Sequence, residues 1–308
     1  MIHRPARPGA TSSAQPSGAS DWTALERLRP GERVARHLTA APDSPTSPAA
    51  LRRPQLHLAQ AAHEAGQPLS ATGLGVDSQR VRDRMVQRLQ QQGLTQPQVM
   101  DAMSQVPRHL YVDSALALQS YEDTSLPIGH GQTISKPSVV ARMLEVACQG
   151  DAARERLRQG QRPLGRVLEI GAGCGYVSSL LGLLADSVVA IERIAPLHAR
   201  ARQQVQAWLA TPQARALRAV SPRLIHGDGR LPVAGAAPFD TVLAAACGDD
   251  VPDAWLTQLA PGGVVVTPWH DASRGGQVLL VLRQTPRGVV REVHEAVCFV
   301  PLKSGLVL

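Results

Sequence analysis

The stretch VLEIGAGCGY (residues 167–176) constrains this chain more than any other. Five residues, RVLEI (166–170), are apolar enough for a buried strand. A Gly-x-Gly-x-Gly turn follows at once, and Ser178–Leu184 reads as a helix. Gly171 and Gly173 remove side chains so that a ligand can lie against the backbone, and Gly175 lets the helix pack close. The next apolar run, SVVAIE (187–192), is a second strand ending in an acid, Glu192. Strand, turn, helix and strand make a unit that belongs in a parallel sheet, whose ligand edge lies at the carboxyl ends of the strands.

The alternation continues. A helix over 196–209 precedes the strands RLIHGD (223–228), DTVLAAA (240–246) and GVVVTP (263–268), with a helix at Pro252–Leu259 between the last two. QVLLVLRQT (277–285) and GVVREVHEAVCFVPL (288–302) then read as a hairpin turning at Pro286–Gly288. The pattern predicts an α/β fold, a mostly parallel central sheet with helices on both faces and an antiparallel edge. Upstream, Val81, Met85, Val86 and Leu89 recur at helical spacing, with Asp77 or Ser78 as cap and Gly93 as stop. Helices are also expected over Gln96–Ser104 and Lys136–Ala147, joined by a loop rich in Gly and Thr. Residues 149–164 read as a polar connection or an inserted helical turn.

Residues 1–76 are rich in Ala, Pro, Ser and Gly and are expected to form a disordered extension, with a short helix conceivable around Trp22–Leu38. Their Arg- and Ser-rich start loosely resembles a transit peptide, but Pro and Gly interrupt any amphipathic helix. Residues 77–308 are then one domain, with helices and a substrate-side loop at 77–150 and a ligand-binding sheet at 165–308.

The turn's chemistry narrows its ligand. A dinucleotide fingerprint would place glycine where Tyr176 stands, and a phosphate loop would need a nearby lysine. Glu169 and Glu192 flank the turn with no compensating base in sequence, which suits a nucleoside carrying an ammonium and a sulfonium, as S-adenosylmethionine does. Glu192 can accept from both ribose hydroxyls. The Gly-Asp-Gly at 227–229 ends another strand, where Asp228 could receive an adenine amino group beside Gly229.

Net charge is +7, carried almost wholly by arginine, Lys136 and Lys303 being the lysines. A basic balance permits nucleic acid, but aromatic residues make up 3%, too few for a base-stacking platform, so nucleic-acid binding is not expected. The four cysteines are widely spaced and form no metal-ligand pattern; buried free thiols in a reducing, cytoplasmic setting are expected, with no metal. No apolar run is long enough to span a bilayer.

From about residue 78 to 305 the sequence resembles protein-L-isoaspartate O-methyltransferases. PRHLYVDSALALQSYEDTSLPIGHGQTISKPSVVARMLE (107–145) is similar to that family's segment ahead of the cofactor loop. VLEIGAGCGY, the Gly-Asp-Gly, APFDTVLAAA and FVPL follow in the family's order. Separately, a monomer is expected, although the sequence does not reveal the oligomeric state. The resemblance implies a Rossmann-like methyltransferase fold, S-adenosylmethionine as cofactor, and damaged proteins and peptides containing isoaspartate as partners. Their α-carboxylate is methylated, and the ester cyclises to a succinimide. It also implies that Ser135 sits between cofactor and substrate, while Thr133 and Ile134 help enclose both and His130 and Gln132 belong to the same loop. An ionised carboxylate needs no general base, so Ser135 is assigned to orienting it, although a helix N-cap is the plainer reading of that serine. His130 reads more simply as a hydrogen-bonded strut, His226 as a solvent-facing strand residue and Cys174 as a small filler.

Several positions depart from the family's pattern: Cys247-Gly248-Asp249, PWH (268–270) and Cys298, where an arginine is common. They leave open a methyltransferase of the same fold with another acceptor, such as a small-molecule carboxylate or RNA. A cofactor-binding protein without turnover is also open.

Overall fold

In a computed structural model the described residues are 78–308; the expected extension and the helix considered at Trp22–Leu38 lie outside them. Ser78 caps α1 (Gln79–Gln91), its hydroxyl accepting from Arg80 N–H, and α2 (Pro97–Gln105) follows; Asp77 lies outside the described residues. Two 3-10 turns, Arg108–Tyr111 and Ser114–Gln119, lead to a short antiparallel pair, β1 (Leu126–Gly129) and β2 (Gln132–Ile134). This corrects the expected loop. His130 and Gly131 both have positive φ, 52° and 67°, and join the strands as a two-residue hairpin turn of the primed kind.

Beyond it run α3 (Pro137–Cys148) and α4 (Asp151–Arg158). The polar 149–164 stretch thus holds a two-turn helix, whose aspartate at the start and arginines at the end suit the helix dipole. Next come β3 (Arg166–Ile170), α5 (Tyr176–Leu184), β4 (Ser187–Glu192), α6 (Ala195–Leu209), α7 (Pro212–Ala216) and β5 (Arg223–His226). The chain ends with β6 (Phe239–Ala244), α8 (Asp253–Thr257), β7 (Leu259–Asp271), β8 (Gly276–Thr285) and β9 (Gly288–Ala296).

These form a seven-stranded sheet ordered β5-β4-β3-β6-β7-β8-β9, parallel from β5 to β7 and antiparallel at β8 and β9. The predicted architecture is present. The last strand is shorter than expected, because 297–302 leaves the sheet: Cys247 N–H donates to Val300 O and Leu302 N–H to Cys247 O. One apolar cluster packs α1–α3, the hairpin, α5 and α6 on one face, and a smaller one around Phe239, Val242 and Trp255 covers the other. The strand order, not the strand direction, changes sense between β3 and β6, so a crevice opens at that switch point. No helix among the described residues is long and apolar enough to cross a membrane.

Candidate active site

The crevice is a cavity of about 470 Å³ bounded by the glycine turn, the carboxyl ends of β3, β4 and β6, the hairpin, and the chain after β9. Of the residues singled out from sequence, Gly171, Gly173, Glu192, Gly229, His130, Gln132, Thr133, Ile134 and Ser135 line it. Segments as distant as 130 and 229 converge there.

Glu192 organises the turn. It is 5% exposed, and its two carboxylate oxygens accept from Gly173 N–H and Ile194 N–H, each at 2.9 Å. Gly173 has φ +56°, and a Cβ there would press on Ile128 of the hairpin at 3.2 Å, so glycine lets turn and hairpin meet. Gly175 starts α5 with φ +85° and does not line the cavity. A Cβ there would lie 2.8 Å from Val205 and 3.2 Å from the Ala201 carbonyl, which is where α6 packs against the turn.

Three expectations about the charges around the glycine turn need correction. Glu169 does not face the cavity: strand alternation turns it to the α5 side, where it is fully buried and accepts from Ser178 Oγ at 2.5 Å. Burial pushes its carboxyl up to about 7, opposed by the Ser178 bond and helped by the charge of Glu192. Asp228 is also absent from the wall, its oxygens accepting from Arg230 N–H and Gly305 N–H. Arg193 and Lys303 do line the wall, so the turn is not without basic neighbours.

Ser135 is half-buried between hairpin and α3 and lines both the main cavity and an outer hollow that includes Ser125, Val139, Val297 and Cys298. Its plainer reading fails: Lys136 is the N-cap of α3, and the cap hydrogen bond comes from Asp123, which accepts from Ser138 N–H at 2.8 Å. Its carbonyl accepts from Arg108 Nη2 at 2.7 Å. His130 is exposed at the turn tip, where its left-handed backbone is the structural observation. His226 is half-buried and hydrogen-bonds the Arg193 carbonyl at 3.1 Å, rather than facing solvent. Three cysteines are buried as expected, but Cys298 is exposed.

The chain from Val300 onward joins the site without any signal in the sequence. Val300–Lys303 and Val307 line the cavity, while Val307 bonds Arg193 and Ala195 backbones and the Arg193 side chain holds the carbonyls of Ser304 and Gly305. KSGLVL carries no periodicity that would have announced this. Arg108 and the Tyr176 side chain also belong to the site, and nothing local in PRHLY or GCGY announces that they meet.

The family model described as protein-L-isoaspartate(D-aspartate) O-methyltransferase matches residues 79–306. The chain belongs to this family. A protein-L-isoaspartate O-methyltransferase of Methylibium petroleiphilum is 51% identical over 258 residues, covering 83% of this chain and 90% of its own. One from Burkholderia pseudomallei is 43% identical over 307 residues, covering 98% and 89%. A Plasmodium falciparum protein-L-isoaspartate O-methyltransferase, solved in complex with S-adenosyl-L-homocysteine, shares the fold at 22% identity. Its TM-score is 0.57, and the match covers 72% of this chain and 98% of that one.

The departures from the family's pattern are not scattered. Gly248 pairs with Trp269, His270 N–H donates to Gly248 O, and Trp269 Nε1–H donates to Asp249 O at 3.1 Å. Cys298 alone among them lines the hollow beside Ser135.

Proposed function

We propose that this protein methylates the α-carboxylate of L-isoaspartyl residues in damaged proteins and peptides, with S-adenosylmethionine as methyl donor, and so starts their repair through a succinimide. Family membership over 79–306 gives the reaction class. The observation that carries the assignment to this chain's residues is the position of Ser135, on the wall shared by the main cavity and the outer hollow.

The main cavity suits the donor. Its volume lies in the range of small-molecule sites, and the side-chain-free turn leaves backbone open to a ligand. Glu192 retains lone pairs beyond the two it uses on backbone N–H groups, enough to accept from a ribose diol. The donor supplies a methyl carbon on a positively charged sulfur, which leaves with the electron pair of the broken bond when a carboxylate oxygen bonds the methyl.

This chain's residues position and enclose. Ser135 orients the acceptor carboxylate by donating its hydroxyl proton in a hydrogen bond. No proton has to be removed, since a carboxylate is ionised at neutral pH. Alignment of oxygen, carbon and sulfur can supply about 7–11 kcal/mol of the barrier. Ile128, Thr133 and Ile134 of the hairpin exclude water above the reacting atoms. Asp228 and Glu169 support the site from behind: Asp228 ties the 303–308 segment down, and Glu169 braces β3 against α5.

Residues 77–308 act as one methyltransferase unit, monomeric and cytoplasmic; free thiols fit a reducing compartment. The test is methyl transfer from labelled S-adenosylmethionine to an isoaspartyl peptide and to its aspartyl twin. Transfer to the first alone is expected. Equal labelling, or labelling only of RNA or a small carboxylate, overturns the assignment.

A further inference from the structure

Arg108 is fully buried, yet it has no carboxylate partner among the described residues. Its Nε donates to Ser120 O and its Nη2 to Ser135 O, both at 2.7 Å. Its Cζ lies 5.0 Å from the ring centroid of Tyr176, and it is electrostatically coupled to Tyr176 and Cys174. Ser135, Tyr176 and Cys174 all line the main cavity, so the guanidinium stands directly behind three wall residues. Nη1 and the Tyr176 hydroxyl are both buried, neither hydrogen-bonded to a third group, and the two side chains interact with each other in a way that favours the charged guanidinium. Burial lowers the guanidinium's affinity for its proton, and Tyr176, Cys174 and Tyr121 beside it offset this in part.

An arginine that only tied loops together could share its charge with a carboxylate. This one is balanced by two carbonyls and by the ring and hydroxyl of Tyr176, an expensive way to hold a buried cation. Glu192 supplies a carboxylate at the glycine-turn end of the cavity, whereas the hollow at Ser135 is lined by no acid; what that end lacks until substrate arrives is an anion, and under the proposed function the acceptor brings one. Resting on that reading, we propose that Arg108 is a positioning residue with two separable tasks. Its fork fixes Ser135, and its charge makes the acceptor end of the cavity electropositive, favouring a carboxylate over a neutral group. The same charge disfavours the cationic donor relative to its neutral product, S-adenosylhomocysteine, and so eases the exchange in which that product must leave.

The test crosses charge with shape. Arg108→Lys keeps the charge and loses the fork; Arg108→Met loses both. Calorimetry gives the ratio of dissociation constants for S-adenosylmethionine and S-adenosylhomocysteine, and kinetics give KM and kcat for an isoaspartyl peptide. Expected is a kcat loss in both variants. Arg108→Met alone should also raise peptide KM about tenfold and shift the ligand ratio toward S-adenosylmethionine by a similar factor, the scale of one charge interaction in a partly dry site. If both variants weaken the two nucleosides equally and leave the ratio unchanged, Arg108 is a scaffold and the proposal is wrong. Should Arg108→Met not fold, the parent protein still decides. A neutral isoasparaginyl peptide should inhibit at least tenfold more weakly than its isoaspartyl twin competes, and equal competition overturns the charge role. If the parent methylates no isoaspartyl peptide, the functional reading has failed instead, and the ligand ratio remains readable.

Discussion

Glu192→Gln separates the ligand-binding role of this carboxylate from its structural one. In the parent, one oxygen accepts from Gly173 N–H and the other from Ile194 N–H, both at 2.9 Å, and the residue lies on the cavity wall. An amide keeps one acceptor but turns an NH2 donor toward the remaining N–H. One charge-assisted bond is lost, worth about 1.5–3 kcal/mol, and the negative charge facing the cavity disappears. Where the broken bond is Gly173's, the turn that the ligand lies against loosens with it.

If ribose hydroxyls donate to Glu192, the loss appears in affinity. A 10- to 150-fold fall in S-adenosylhomocysteine binding by calorimetry corresponds to roughly that free energy. The melting temperature should fall as well, by about 3–10 °C in a domain of this size. Both readouts are needed, because the backbone bonds alone predict a melting change. A variant that melts early yet binds the nucleoside within twofold of the parent would show that Glu192 only braces the turn, and the ribose assignment would be lost.

Three further outcomes are expected. Ser135→Ala should lower kcat for an isoaspartyl peptide by about 10- to 150-fold, the worth of one hydrogen bond to a charged group, with S-adenosylhomocysteine affinity unchanged; equal losses in both would refute its orienting role. Gly175→Ala should destabilise the fold by roughly 2–4 kcal/mol in urea denaturation, since φ is +85° and the new methyl meets Val205 and the Ala201 carbonyl; an unchanged midpoint would mean α6 does not pack as described. Glu169, whose carboxyl burial raises from an ordinary 4.5 to about 7, binds its proton more tightly folded than unfolded. Its contribution is therefore fully present below pH 4.5 and lost as pH rises through 7, by about 3 kcal/mol. Glu169→Gln should gain stability relative to the parent between pH 5 and 8, and a difference independent of pH in denaturant titrations would contradict this.

How much of this was legible in the sequence follows physical range. RVLEI and SVVAIE became β3 and β4 residue for residue, because a short apolar run between a glycine turn and polar flanks has one way to be buried. Glu192 was readable because a strand's last residue has a fixed place at the sheet edge. Glu169 was not, since its direction depends on which face α5 covers. The hairpin 126–134 had only a weak local signal: histidine and glycine stand between LPIG and the mostly polar QTI, and one histidine at positive φ is a weaker announcement than Asn-Gly. The segment 303–308 had none: its place on the cavity wall depends on Arg193 and Asp228, more than 70 residues away.

The hairpin links the two halves of the site, and its attachments explain why so little conventional acid–base machinery is needed. Ile128 touches the glycine turn at the position where Gly173 has no side chain. The Ile128 carbonyl accepts from Arg200 of α6, and at the far end Arg108 holds the Ser135 carbonyl. A roof pinned to the turn, to α6 and to a buried arginine can keep its serine aligned over the cavity, whereas a free loop would have to order itself at each encounter and lose that entropy from the barrier. For an acceptor that arrives ionised and a donor that arrives with its leaving group already cationic, alignment and dryness are what remain to be supplied. The departures at 247–249 and 268–270 bond to one another, and Cys247 also holds the backbone of the cavity-lining Val300 and Leu302. Cys298 alone among them faces the hollow that Ser135 shares, so any difference in acceptor preference between this chain and its relatives is to be sought at that thiol.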